Sequence, residues 1–147
     1  MKKFVFSLTK VLRFKEQNLD VLKNEMLQLQ SRLLVIEEKI RQLNRELVTR
    51  SEQLQEESRT GISAQKLMSC QYYLHSLIQK ISEATADRIA CEKQIEQKKE
   101  ELVQLKGEIS GLERLEEKQR DDYRKAEAKA QELSVEEFVR QTCVAVR

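Results

Sequence analysis

Catalysis needs a base, a nucleophile or a set of metal ligands held close together, and this chain offers few candidates. Its one histidine, His75, falls at an outward b position of a helical repeat, where a solvated side chain is the plain reading. Cys70, Cys91 and Cys143 are widely spaced and odd in number. That excludes a metal-binding spacing and a disulfide framework, and it predicts a reducing, cytoplasmic setting. There is no glycine-rich phosphate loop and no His/Cys/Asp ligand cluster. Carboxylates are abundant, but they belong to charged helix faces. The reading is therefore of a protein that is not an enzyme and uses no cofactor and no metal. What remains is binding chemistry. Tyr72 and Tyr73 stand side by side, with Met68 and Ile78 near them. All four lie off the core-facing positions of their helix. Isolated exposed aromatics are one reading; an interface anchor is the other, since tyrosine is enriched there.

These residues must be held by helices. Every seventh residue from Val5 gives Val5, Leu12, Leu19, Met26, Leu33, Ile40, Leu47 and Leu54, all apolar. Three residues after each come Leu8, Lys15, Leu22, Leu29, Ile36, Leu43 and Arg50, five of the seven apolar. The 4–3 alternation is the a/d seam of a coiled coil, which keeps one stripe facing a partner helix. A strand repeats every two residues and cannot produce it. Composition agrees: 35% of the chain is charged, and it has no proline and three glycines.

The partner helix is in the same chain. Residues 58–63 break the first series, with Gly61 suited to a left-handed helix end and Ser63 to an N-cap. A second series follows, with Leu67, Leu74, Ile81, Arg88, Ile95, Leu102 and Ile109 at a. Cys70, Leu77, Ala84, Cys91, Lys98, Leu105 and Leu112 take d. Both seams start at one short turn. The predicted fold is all-α, a long two-helix antiparallel coiled-coil hairpin with helix one at about 8–57, a turn at 58–63 and helix two at about 64–133. The segment 134–147 follows a capping box at Ser134 and Glu137. With the turn centred on Ile62, paired residue numbers sum to 124. Leu33 then faces Cys91, and Arg88 and Lys98 enter the seam, their stems covering it while their charges reach water.

Several apolar residues of helix one lie off the seam: Val11, Phe14, Val21, Leu27, Leu34, Val35 and Val48. Scattered exposure is the bland reading. A second docking stripe at roughly seven-residue spacing is the sharper one. Past Leu112 the seam decays, and residues 115–133 read as a solvated, charged overhang. Residues 1–15 carry Lys2, Lys3, Lys10, Arg13 and Lys15 and no acid. The start resembles a signal peptide only superficially, because its apolar run is short and is followed by Lys10 and Arg13. No stretch approaches a membrane span. The net charge of +2 gives no support to nucleic-acid binding, and no reading module is present.

The tip text, from Gly61 through Leu67-Met68, Tyr72-Tyr73 and Leu77 to Ile81, joins a basic start (Lys2-Lys3-Phe4-Val5-Phe6) and the late Val135-Glu-Glu-Phe138. Together these resemble the FliJ family of flagellar export proteins over nearly the whole chain. The resemblance implies a coiled coil like the gamma subunit of rotary ATP synthases. Its ends would enter the pore of a hexameric export ATPase, and it would contact the membrane export gate and export chaperones. Membrane association would be peripheral and only through those partners, at the flagellar base. Tyr73 and Leu77 match the pair expected to touch the gate, with Tyr72 beside them. Lys2, Lys3, Lys10, Arg13, Arg120, Arg124 and Phe138 are the candidates at the inserted end. A generic coiled-coil adaptor, dimerising or docking through the off-seam stripe, is the alternative.

Overall fold

A computed structural model describes residues 3–145 of the chain. It contains two long helices packed antiparallel, α1 at Thr9–Thr60 and α2 at Ala64–Ala145, and no strand among the described residues. The fold is the all-α two-helix hairpin that the heptads demand. Neither helix contains a proline, so nothing interrupts the backbone hydrogen-bond ladder. The connection is only Gly61-Ile62-Ser63, shorter than the 58–63 turn expected. Residues 58–60 stay helical, because the first residue able to leave the helix cheaply is Gly61. Its φ of 102° is open to glycine and strained for other residues. Thr60 Oγ1 closes the end by donating to the Glu57 carbonyl at 3.1 Å. Ser63 caps α2: its Oγ accepts from the Lys66 amide at 3.2 Å, and its carbonyl accepts from the Leu67 amide at 3.0 Å.

The chain forms two compact units, each crossed by both helices. In the unit Val21–Leu102, every a and d residue of α2 is buried or half-buried. Leu77, at 1% exposed, is the most enclosed, with Ala84, Cys91 and Ile95 close behind. On α1, Leu22 is buried and the seam residues from Met26 to Leu47 are half-buried. Two helices enclose a single stripe, so most seam residues keep one edge in water. The seam position Arg50 is exposed. The Cys91 thiol donates to the Leu29 carbonyl at 3.4 Å, one turn from the expected neighbour Leu33. Cross-helix ion pairs join Lys66 to Glu57 at 3.6 Å and Lys98 to Glu25 at 2.9 Å. Both pairs of numbers sum to 123, one from the expected register. The Glu25 hydrogen bond raises the Lys98 pKa against the opposing effect of partial burial. Arg88, the other seam cation, fares worse. Its Nε is out of reach of solvent and has no hydrogen-bond partner; the nearest carboxylate, on Glu92, is 3.8 Å away.

The second unit combines Met1–Asp20 with Val103–Arg147. Leu12 and Ile109 are its buried helical residues, and Lys15 pairs with Glu108 at 2.6 Å. Two expectations are corrected here. Val5 does not open the seam: it precedes α1 and is 79% exposed. Its neighbours turn inward instead, with Phe6 buried and Phe4 half-buried. Such alternation is what an extended segment produces. The Phe6 carbonyl accepts from the Thr9 amide at 3.3 Å and from Thr9 Oγ1 at 2.7 Å, which turns the segment into α1. The second correction concerns Ser134. No break occurs there, and α2 continues through the supposed capping box to Ala145. A serine inside a helix costs only about 0.5 kcal/mol relative to alanine. Without glycine or proline beside it, that is too little to end the helix.

Candidate partner-binding surfaces

Near the turn, the adjacent tyrosines part company. Tyr72 is 81% exposed. Tyr73, at 38%, leans onto α1: its hydroxyl donates to Glu46 Oε1, and the Arg50 guanidinium lies 5.1 Å from its ring centroid. The hydrogen bond to Glu46 raises the Tyr73 pKa, because ionisation would set two anions together. The expectation that both rings stand free is therefore corrected for Tyr73. Leu77 is sealed in the seam, so its side chain offers nothing to a partner while the helices stay paired. Met68 and Ile78 are exposed beside Tyr72, as is His75.

A groove between the helices opens on the other side of Tyr73. Leu54, Cys70 and Leu74 floor it, and Arg50, Lys66 and Tyr73 stand at its rim. Arg50 was legible only as a flaw in the heptad. A charge at a d position of α1 gives no sign of a ring reaching it from α2.

In the other unit, Lys3, Lys10 and Arg13 are exposed. Lys2 lies outside the described residues. Arg120 is not a free cation: it pairs with Glu116 at 3.1 Å and stacks over Phe4 at 5.4 Å. The Phe4 ring also meets Tyr123 at 5.7 Å between centroids. Phe4 and Tyr123 thus help to build this unit; Tyr123 falls on the decaying continuation of the second heptad series, and heptad counting missed Phe4. Arg124 is exposed. Beyond it, α2 is bare: from 128 to 145 every side chain is exposed, Phe138 at 69%. The site residues gather into two clusters, one on each unit, and the side chains of Tyr72 and Phe138 are largely exposed.

Among the described residues no group of three or more His, Cys, Asp or Glu could hold a metal ion. No described helix is long and apolar enough to cross a membrane. The surfaces offer cations, aromatic rings and exposed aliphatics. No curated protein and no solved structure matches the chain significantly. A family model described as "Flagellar FliJ protein" does match, over residues 4–145, and spans the connection, both helices and the non-helical start. With nearly every residue of the hairpin covered, the chain belongs to the flagellar FliJ protein family, whose role lies in flagellar export.

Proposed function

We propose that this protein is a non-catalytic central stalk of the flagellar type III export apparatus. One end of its helix pair enters the pore of the hexameric export ATPase. The turn end reaches the membrane export gate and receives export chaperones, at the cytoplasmic face of the flagellar base. The observation that carries this reading is the bare end of α2. Residues 128–145 keep helical structure with every side chain exposed, and Val135, Phe138 and Val139 are each more than half exposed. A helix with an apolar stripe and no partner in its own chain is built to meet another chain. Export ATPase co-purified from flagellated cells tests the reading. Full-length protein retains the ATPase and stimulates its hydrolysis, and a chain ending at residue 127 does neither. Retention and stimulation by the truncated chain would refute the proposal.

The adaptor reading keeps one observation in its favour. Phe14, Val21, Leu27, Leu34, Val35 and Val48 are all more than half exposed along α1. Light scattering separates the two: a monomer supports the stalk, and a dimer lost on Leu34→Gln supports the adaptor.

A further inference from the structure

The groove beside the turn has a definite chemistry. Its floor is apolar, made by seam residues Leu54 and Leu74 together with Cys70, and it encloses about 230 Å³, room for a bulky aliphatic side chain. Its α2 wall belongs to the run 67–79, which contains no Asp, Glu, Lys or Arg in a chain that is 35% charged. All charge lining the groove therefore comes from Arg50, Glu57 and Lys66. Glu57 and Lys66 neutralise each other at 3.6 Å. Arg50 makes no ion pair among the described residues. The carboxylate one turn before it, on Glu46, is engaged by the Tyr73 hydroxyl. Arg50 instead rests over the Tyr73 ring, a contact that uses the face of the guanidinium and leaves its N–H edge unspent. The groove thus joins an apolar slot to one ring-supported cation whose N–H edge has no hydrogen-bond or ion-pair partner among the described residues.

We infer that this groove is a docking site for a partner-protein segment that carries a carboxylate beside an aliphatic side chain. The aliphatic group fills the slot over Leu54, Cys70 and Leu74. The carboxylate accepts two hydrogen bonds from the fork of Arg50. Charge complementarity selects this occupant. A basic segment would meet Arg50 as a like charge, and a purely apolar one would bury the guanidinium edge unpaired. The inference deepens the assignment of the turn end to a partner. It rests on that assignment only for who the partner is, not for the chemistry of the slot.

The test uses the full chain and two capped peptides, acetyl-Leu-Leu-Asp-Leu-amide and its Asn counterpart. Binding is followed through the Arg50 side-chain Nε–H resonance and the Cys70 and Leu74 backbone amides. The acidic peptide shifts these resonances saturably and binds about tenfold more tightly than the Asn peptide. Added salt weakens the acidic peptide alone. Arg50→Gln, an exposed change that leaves the seam intact, removes the discrimination. Arg50→Lys keeps the charge without the fork and restores part of it. Equal binding of the two peptides, no binding of either, shifts centred away from the groove, or full discrimination by Arg50→Gln would each overturn the inference. No ATPase or gate protein enters this titration. Failure here therefore leaves the stalk reading standing, and failure of the ATPase co-purification leaves the groove standing.

Discussion

The Tyr73 hydroxyl on α2 donates to the Glu46 carboxylate on α1, while Tyr72, its neighbour in the chain, stays in water. Two adjacent tyrosines therefore do different work. The ring of Tyr73 clamps the helix pair, and Tyr72 is free to meet something else. Tyr72→Ala should leave the melting temperature unchanged. Tyr73→Ala should lower it by a few degrees, and Tyr73→Phe by less, because the ring and its contact with Arg50 survive. Thermal unfolding followed by circular dichroism reads all three. Equal effects of Tyr72→Ala and Tyr73→Ala would contradict the division.

The same bond gives an alkaline signature. Glu46 raises the pKa of Tyr73 above its ordinary value near 10. The hydroxyl form is the one stabilised in the folded state. Its contribution is fully present below the unfolded pKa and is lost as pH rises through the raised folded pKa. The stability difference between the parent and Tyr73→Phe should therefore be flat from neutrality to about pH 10 and shrink above it. A difference that grows with alkalinity would reverse the sign and refute the assignment.

Lys15 and Glu108 report from the other unit, at the acid end. The Lys15 hydrogen bond, and then its charge, hold the Glu108 carboxyl below its ordinary value of 4.5. A depressed folded pKa adds stability above the unfolded value, lost as pH falls through the folded one. Glu108→Gln should thus lower the melting temperature slightly near pH 7 and leave it unchanged at the acid end of the titration. Both groups touch water, so the effect is small and should fade in high salt. A loss that persists undiminished in acid would show that Glu108 acts through packing instead.

The paired seams were legible because heptad spacing depends on residue type alone, and the structure fills nearly every predicted position. Arg88 and Lys98 were legible as seam cations for the same reason. What periodicity could not supply was which of them finds a partner, since that depends on whether an acid stands opposite. Lys98 has Glu25 across the helix pair, whereas the nearest acid to Arg88 is on its own helix. The start of the chain was misread because a seven-residue count was carried into a segment that is not helical. There Phe4 and Phe6 alternate about Val5, the two-residue signal of extended chain. The groove at Arg50 was illegible, because it depends on a ring reaching across from another helix.

Arg88 offers a stability test that follows from its missing partner. A buried donor without an acceptor costs about 1–3 kcal/mol, and an apolar side chain of similar size removes that cost. Arg88→Leu should raise stability by about 1–2 kcal/mol in urea unfolding. A polar seam residue also restricts pairing. The leucine variant should accordingly show a higher tendency to self-associate by light scattering. A variant less stable than the parent would mean that Arg88 gains more from its stem packing and from Glu92 than its Nε loses.

Gly107 and Gly111 stand in the interior of α2, one turn apart, and neither has a positive φ. Beyond its chain neighbours and the backbone of its own helical turns, a Cβ added at either position would meet nothing within 4 Å. Alanine therefore fits both without strain, and the glycines have no structural reason to be there. Each costs about 1 kcal/mol against alanine in a helix interior. Gly107→Ala/Gly111→Ala should stabilise the free protein by about 1–2 kcal/mol, by limiting the unfolded chain as well as favouring the helix. If the outward face they leave bare admits a partner's backbone, as the stalk proposal would have it, the added methyl groups obstruct that approach. The stabilised double variant should then stimulate the export ATPase less than the parent does. A variant both more stable and equally stimulating would show that the bare face has no part in binding, and that the two glycines are carried at no functional benefit.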